Sequence, residues 1–85
     1  MPKSVFTDAY AIVVRTVVEL RKEQGVSQVE LARRLGKTQQ FISYIEQGQR
    51  RIDVVELYAI VRALEADPET VFLRVLHSLP ADVSI

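Results

Sequence analysis

Cysteine is absent from this sequence and histidine occurs only once, at His77. Without thiols the chain has neither a disulfide framework nor a thiolate metal site, a composition that fits a reducing cytoplasm. A lone histidine, with no serine placed beside a general base, lacks the parts of a nucleophilic catalyst. We therefore expect no enzyme, no metal site and no cofactor, and nothing in the sequence indicates a bound small molecule.

Long apolar runs are missing as well. No stretch approaches the roughly 20 apolar residues that span a bilayer, and the N-terminus has no signal-peptide core. A chain of 85 residues with 48% hydrophobic content predicts one domain, residues 1–85, with no membrane partner and a cytoplasmic location.

The chain has no excess of charge of either sign, because 11 basic residues balance 11 acidic ones. Zero net charge by itself argues against a nucleic-acid partner, since phosphate neutralisation dominates DNA affinity. The charges are nevertheless segregated: residues 28–51 carry a net charge of +3, with five basic and two acidic side chains, and residues 52–85 carry −4, with two basic and six acidic. This pattern predicts a basic face toward DNA and an acidic back; the alternative is an ordinary mixed surface. The basic residues of the first segment are Arg33, Arg34, Lys37, Arg50 and Arg51.

Capping residues divide the segment from Ser27 to Gly48 into two short helices. Ser27 followed by Glu30 is a capping-box pattern, and Gly36 can take the left-handed conformation that ends the first helix. Thr38 caps the second helix and Gly48 closes it. Because only three residues join two helices of about eight residues, the helices must cross steeply, as in a DNA-binding helix-turn-helix.

These features resemble the XRE family of phage-repressor-like (Cro/CI-type) helix-turn-helix proteins, over roughly residues 10 to 76. The resemblance implies an all-α, five-helix phage-repressor-like DNA-binding domain, with the helix-turn-helix at helices 2 and 3 over residues 28–47. Lys37 departs from the family, which usually has a small apolar residue there, and we expect it to add a phosphate contact. The residues that carry the resemblance are Gly25, Ser27, Gln28, Leu31, Ala32, Gly36, Thr38, Ile42, Ser43, Glu46, Gly48 and Arg51.

Three further helices complete the predicted fold. The first runs from about Thr7 to Gln24, the fourth follows the loop after helix 3, and the fifth spans about residues 68–78. Their ends are marked by Gly25, by the box of Asp53 with Glu56, by Asp67 with Pro68, and by Pro80.

The resemblance also implies which residues face DNA. The N-terminal end of helix 3 enters the major groove, where a glutamine amide can pair with N6 and N7 of adenine. Alternatively, the two glutamines are only exposed first-turn residues and Tyr44 only covers its helix. We predict base contacts for Gln39, Gln40, Ser43 and Tyr44, and phosphate contacts for Gln28, Lys37, Thr38, Gln47, Arg50 and Arg51.

Arg21 and Glu46 stand where the family has a helix-one arginine paired with the glutamate that ends helix 3. The resemblance therefore implies a structural salt bridge between them. If the pair is partly buried, removing one partner leaves the other charge stranded, at a cost of about 3 to 5 kcal/mol.

The fifth helix has more apolar surface than it needs to dock on a small core, and one small module buries too little for operator-level affinity. We therefore predict a homodimer on a palindromic operator, with helix 5 at the interface. The same stripe could instead close the core, and the extra apolar face of helix 1 is another candidate interface. The predicted interface residues are Val71, Phe72, Val75, Leu76 and Leu79.

The sequence thus favours a sequence-specific transcriptional regulator, most simply a homodimeric repressor that reads double-stranded DNA with helix 3. The alternative is a protein-interaction module of the same fold, such as an antitoxin or an anti-repressor partner. Added salt separates the two, because only a DNA reader must lose affinity steeply as counterions compete for the phosphates.

Overall fold

A computed structural model describes residues 8–83, and within that range the chain forms five α-helices and no strand. They are α1 (Asp8–Glu23), α2 (Gln28–Leu35), α3 (Gln39–Glu46), α4 (Val54–Ala63) and α5 (Pro68–Ser78). The predicted all-α, five-helix fold is confirmed. The predicted first residue of helix 1, Thr7, lies outside the described residues.

Side-chain caps fix the starts of α2 to α5. The side chains of Ser27, Thr38, Asp53 and Asp67 each accept a hydrogen bond from the backbone N–H three residues later. Because each bond satisfies an N–H that the helix itself leaves free, these four residues set where the helices begin.

The capping box predicted at Ser27 is only half formed. The Glu30 N–H donates to Ser27 Oγ at 3.0 Å, but the Glu30 carboxylate accepts hydrogen bonds from Arg33 and Arg34 instead of reaching back to the cap. At α4 both halves of the box are present. The difference arises because α2 places two arginines three and four residues after its glutamate, where they compete for the carboxylate.

The first four helices end in the same way, with one residue in the left-handed conformation. After α2, Gly36 has φ +68°, its N–H donates to Arg33 O at 3.2 Å, and the Lys37 N–H donates to Ala32 O at 2.9 Å. After α4 the same position is held by Glu65, at φ +59°, the one non-glycine residue with positive φ in the described chain. Glycine adopts this conformation without strain, whereas a side chain pays a steric penalty there.

The core lies where the helix-turn-helix pair packs against α1, α4 and α5. Leu31 of α2, Ile42 and Ile45 of α3, and Val61 of α4 are at most 1% exposed. Outside this core, Arg74 of α5 donates hydrogen bonds to two carboxylates of α1. Helix α3 is therefore held from one side by apolar packing, which leaves its opposite face exposed.

The structure places two of the five predicted interface residues of α5 in the core. Val71 and Val75 are 4% and 8% exposed, so these two residues pack inside the chain's own core rather than on a surface for a second copy. The reason is that one face of the amphipathic helix must dock on α1 and α4, and the sequence does not reveal how wide that face is. Phe72 and Leu79 are partly buried, while Leu76 is 60% exposed.

On α1, Val14 is buried, whereas Ile12 and Val18 are partly buried. The additional apolar face of this helix is therefore mostly used within the monomer. No helix within residues 8–83 combines the length and the apolar character required to cross a membrane.

Candidate nucleic-acid interface

Helix α3 presents a polar face opposite its buried one. Ile42 and Ile45 are each 1% exposed and anchor the helix. Gln39 and Gln40 are exposed and Tyr44 is 41% exposed. The Thr38 cap fixes the start of the helix, and two amides and a phenol from its first two turns are exposed to solvent.

An ion pair joins the end of α3 to α1. Arg21 Nε donates to Glu46 Oε2 at 2.7 Å and Arg21 Nη2 donates to Oε1 at 3.0 Å, and both side chains are at most 10% exposed. The remaining guanidinium nitrogen, Nη1, donates to Val26 O at 2.8 Å. The pair is the one implied by the family resemblance, and its bidentate geometry fixes α3 relative to α1.

The ion pair continues through two glutamines to the start of α3. Gln28 Nε2 donates to Glu46 Oε1 at 2.8 Å, and Gln39 Nε2 donates to Gln28 Oε1 at 3.3 Å. Because a carboxylate only accepts hydrogen bonds, the nitrogen of Gln28 must face Glu46 and its oxygen must face Gln39. One amide hydrogen of Gln39 is thereby used, while its carbonyl oxygen and second hydrogen have no partner within residues 8–83. Sequence reasoning treated Gln28 and Gln39 separately and missed this link.

Two more hydrogen bonds run along the outer face of α3, each between residues four apart. Gln40 Nε2 donates to the Tyr44 hydroxyl oxygen at 2.7 Å, and Gln47 Nε2 donates to Ser43 Oγ at 3.0 Å. The spacing is that of neighbouring turns, so the sequence contained the signal for both contacts. They hold four of the predicted DNA-facing side chains in two ordered pairs.

The predicted phosphate contacts occupy different surroundings. Lys37, Thr38, Gln47 and Arg51 are exposed, and Gln28 is half-buried. The Arg51 guanidinium lies 4.4 Å from the centroid of the Tyr10 ring. The Tyr10 hydroxyl in turn accepts a hydrogen bond from the Ile52 N–H at 2.8 Å, and burial raises the pKa of this phenol. Tyr10 of α1 thereby fixes the loop that carries Arg51.

Arg50 is bound within the protein. Its guanidinium donates to both oxygens of Glu56, at 3.0 and 2.7 Å, and lies 4.7 Å from the centroid of the Phe41 ring. The hydrogen bonds from Arg50, aided by one from the Asp53 N–H, lower the pKa of Glu56 to about 2. Sequence reasoning missed this pair, because a separation of six residues across a helix boundary corresponds to no regular spacing.

The two arginines of α2 are also partly neutralised. Both donate to the carboxylate of Glu30, and these hydrogen bonds, that of Arg33 first, lower the pKa of Glu30 to about 2. Arg34 also donates to the carbonyl oxygen of Ala63 at 2.8 Å. The positive charge of residues 28–51 is therefore less available to a partner than the count of side chains indicates.

A family model and a sequence relative both match the helix-turn-helix region of this chain. A helix-turn-helix family model matches residues 17–71. The chain is 37% identical over 57 residues to the uncharacterized HTH-type transcriptional regulator y4dJ of Sinorhizobium fredii. The aligned segment covers 67% of this chain and 74% of the relative.

Solved structures of similar fold agree with this match. An XRE-family like protein from Pseudomonas syringae superposes with a TM-score of 0.79 at 33% identity, covering 85% of this chain and 88% of that one. The restriction-modification controller protein C.Esp1396I superposes with a TM-score of 0.77 at 24% identity, covering 85% and 95%, which indicates a shared fold. That controller has also been solved as a tetramer in complex with its natural 35 base-pair operator.

Proposed function

Because the chain belongs to the XRE-type helix-turn-helix family of DNA-binding transcription regulators, we propose that it binds a specific double-stranded operator through α3. In its simplest form the regulator is a homodimeric repressor that acts in the cytoplasm by occupying a promoter. Enzymatic activity is not a property of this family.

The hydrogen-bonded chain from Arg21 through Glu46 and Gln28 to Gln39 is the observation that carries this proposal. It orders the Gln39 amide before DNA arrives, so that one acceptor and one donor remain for a base edge. That combination complements N6 and N7 of adenine, and each good bidentate contact is worth about 1 to 3 kcal/mol of discrimination. Preorganisation reduces the entropy lost on binding.

The pair of Gln40 and Tyr44 is the second proposed reading element. The Gln40 nitrogen already donates one hydrogen to the phenol oxygen. The groups left for bases or phosphates are therefore the Tyr44 O–H, the Gln40 carbonyl oxygen and the second amide hydrogen of Gln40. Ser43, whose hydroxyl accepts from Gln47, lies between them in sequence. Together these residues would give α3 a reading face two turns long.

The proposed phosphate contacts flank this face. They comprise the exposed side chains before and after α3, together with the amide of Gln28 near the start of α2. Arg50 takes a different role in this proposal: it positions the loop through Glu56 rather than meeting a phosphate. The set is Gln28, Lys37, Thr38, Gln47 and Arg51.

Selection from a random-sequence duplex library at physiological salt tests the proposal directly. We expect enrichment of a two-fold symmetric motif, because two reading heads would bind half-sites about 10 to 10.5 base pairs apart. Substitution of Gln39 by alanine should relax base preference at one position in each half-site. A folded protein that enriches no motif would instead favour a protein partner.

The salt dependence of binding to the selected operator separates base contacts from phosphate contacts. Replacing Lys37 or Arg51 by alanine should reduce the slope of log affinity against log salt by about one. Gln39→Ala should lower affinity without changing the slope. Arg62→Ala is the matched control, because this exposed cation lies on α4 outside the proposed set and should change neither quantity.

A further inference from the structure

A cleft of about 160 Å³ lies at the junction of the helix-turn-helix with α4. It is lined by apolar side chains from three elements, with one cation and one carboxylate among them: Leu35, Lys37, Phe41, Glu56, Ala59 and Ile60. A cavity of about 150 Å³ accommodates a molecule the size of benzene. The cleft is therefore large enough for a ligand with one ring or a short branched chain.

The charges around the cleft leave one cation without an anionic partner. The Lys37 ammonium lies 5.3 Å from the centroid of the Phe41 ring and has no ion pair within residues 8–83. The carboxylate, Glu56, accepts two hydrogen bonds from Arg50 and forms its ion pair with that residue rather than with Lys37. The Lys37 ammonium is therefore the charged group of the lining with which an entering anion would pair.

We propose that this cleft binds a small apolar carboxylate, whose hydrocarbon part lies against Phe41 and Ile60 and whose carboxylate pairs with Lys37. Small-molecule sites generally combine an apolar lining with a few polar groups that fix orientation, and this cleft has that composition. Ala59 is exposed at its rim, so a ligand can enter without opening the core.

The same lysine belongs to the proposed phosphate contacts, so occupancy of the cleft would weaken DNA binding. A carboxylate that holds Lys37 competes with a backbone phosphate for it, and the coupling must be reciprocal. This consequence rests on the proposed function, whereas binding of the carboxylate does not.

Titration of the 15N-labelled full chain with sodium benzoate, followed by 1H–15N correlation NMR spectra, tests the site. We expect saturable shifts confined to the amides around the cleft, with a dissociation constant on the order of 1 mM for a ligand of this size. Sodium acetate, which lacks the ring, and benzyl alcohol, which lacks the charge, should each bind at least fivefold more weakly. Equal shifts with acetate, or shifts scattered over the surface, would overturn the proposal.

Two variants make the result specific to the cleft. Lys37→Met keeps the aliphatic stem but removes the charge, and should weaken benzoate binding at least fivefold. Ala59→Phe keeps the charge of Lys37 but fills the rim of the cleft. It should abolish benzoate binding while the NMR spectrum remains that of a folded protein. If both variants bind benzoate as the unchanged protein does, the assigned site is wrong.

The effect of the ligand on DNA binding is measured separately, by fluorescence anisotropy of the selected operator. Operator affinity in about 10 mM benzoate is compared with that in the same concentration of acetate, which controls for ionic strength. Benzoate should weaken operator binding in the unchanged protein and have no effect beyond acetate in Lys37→Met. Equal operator affinity in the two salts would refute the competition. If no operator is found, the proposed function fails, but the NMR titration still decides the ligand site.

Discussion

Three donors converge on the carboxylate of Glu46: two from Arg21 and one from Gln28. Replacing Arg21 by methionine leaves this carboxylate buried with a single partner, and we expect the free energy of unfolding to fall by about 3 to 5 kcal/mol. Urea denaturation followed by circular dichroism measures the loss. Operator binding should fall at least in proportion to the folded fraction, because Arg21 has no proposed contact with DNA but begins the hydrogen-bonded chain that orders Gln39.

Glu46→Gln combined with Arg21→Met is the control for this pair. With both charges removed, no ion is left unpaired in the interior, so the double variant should be less destabilised than the sum of the single variants. Additive losses, with the double variant destabilised by the full sum of the two single variants, would show that the pair does not stabilise the fold through its charges.

The left-handed conformation of Glu65 gives a second prediction for one residue. This φ of +59° is strained for a side chain, whereas the equivalent position after α2 is a glycine. Glu65→Gly should raise the free energy of unfolding by about 0.5 to 1 kcal/mol, because relief of strain exceeds the added entropy of the unfolded chain. Thermal denaturation measures this, and an unchanged or lower melting temperature would contradict it.

Gly36→Ala is the matched reverse change. A Cβ at this position would meet no atom within 4 Å, so a loss of stability reports backbone strain rather than a steric clash. We expect a loss of about 1 kcal/mol.

At the scale of residues, sequence reasoning placed this glycine and the Arg21–Glu46 pair because both follow local or family patterns. It missed the Arg50–Glu56 pair because the fold, rather than a regular spacing, brings those residues together.

Helix boundaries were more predictable than helix faces. The caps at Ser27, Thr38, Asp53 and Asp67 act within three residues, so the sequence alone determines where those helices begin. The buried face of α5 depends on α1 and α4, which are distant in sequence. That dependence explains why Val71 was assigned to a dimer surface although it lies in the core.

The start of α4 leads to a prediction about pH. The pKa of Glu56 is lowered from its ordinary 4.5 to about 2, first by Arg50 and then by the Asp53 N–H. A lowered carboxyl pKa means that the folded state binds the proton less readily than the unfolded state. The stability gained from this ionised group is therefore complete above about pH 4.5 and is lost as the pH falls toward 2.

Comparison with Glu56→Gln isolates this carboxylate, because Glu30, which also titrates near pH 2, is present in both proteins. At pH 7 the variant should be less stable by about 1 kcal/mol, from the weakened cap and lost ion pair. The difference between the two proteins should shrink as the pH falls from 4.5 to 2. A difference that stays constant over that range would contradict the assigned ion pair.

At the scale of the whole molecule, α4 and α5 each expose a pair of aliphatic side chains. Leu73 and Leu76 are 46% and 60% exposed on α5, and Val54 and Val55 are 72% and 75% exposed on α4. A stable dimer buries roughly 800 Å² on each partner, more than a few side chains of one helix provide. Since the proposed operator reader needs two heads, we propose that the interface is centred on the leucines of α5, with the valines of α4 as the alternative surface.

Leu76→Glu tests whether α5 contributes the interface. Because the side chain is largely exposed, the variant should remain folded, while a buried charge in the dimer would shift the protein to a monomer in sedimentation velocity. Its affinity for a two-fold symmetric operator should fall at least tenfold, because the two half-sites would be bound independently. Val55→Glu is the matched control on α4 and should remain dimeric. If Val55→Glu is monomeric and Leu76→Glu is not, α4 rather than α5 forms the interface between the copies.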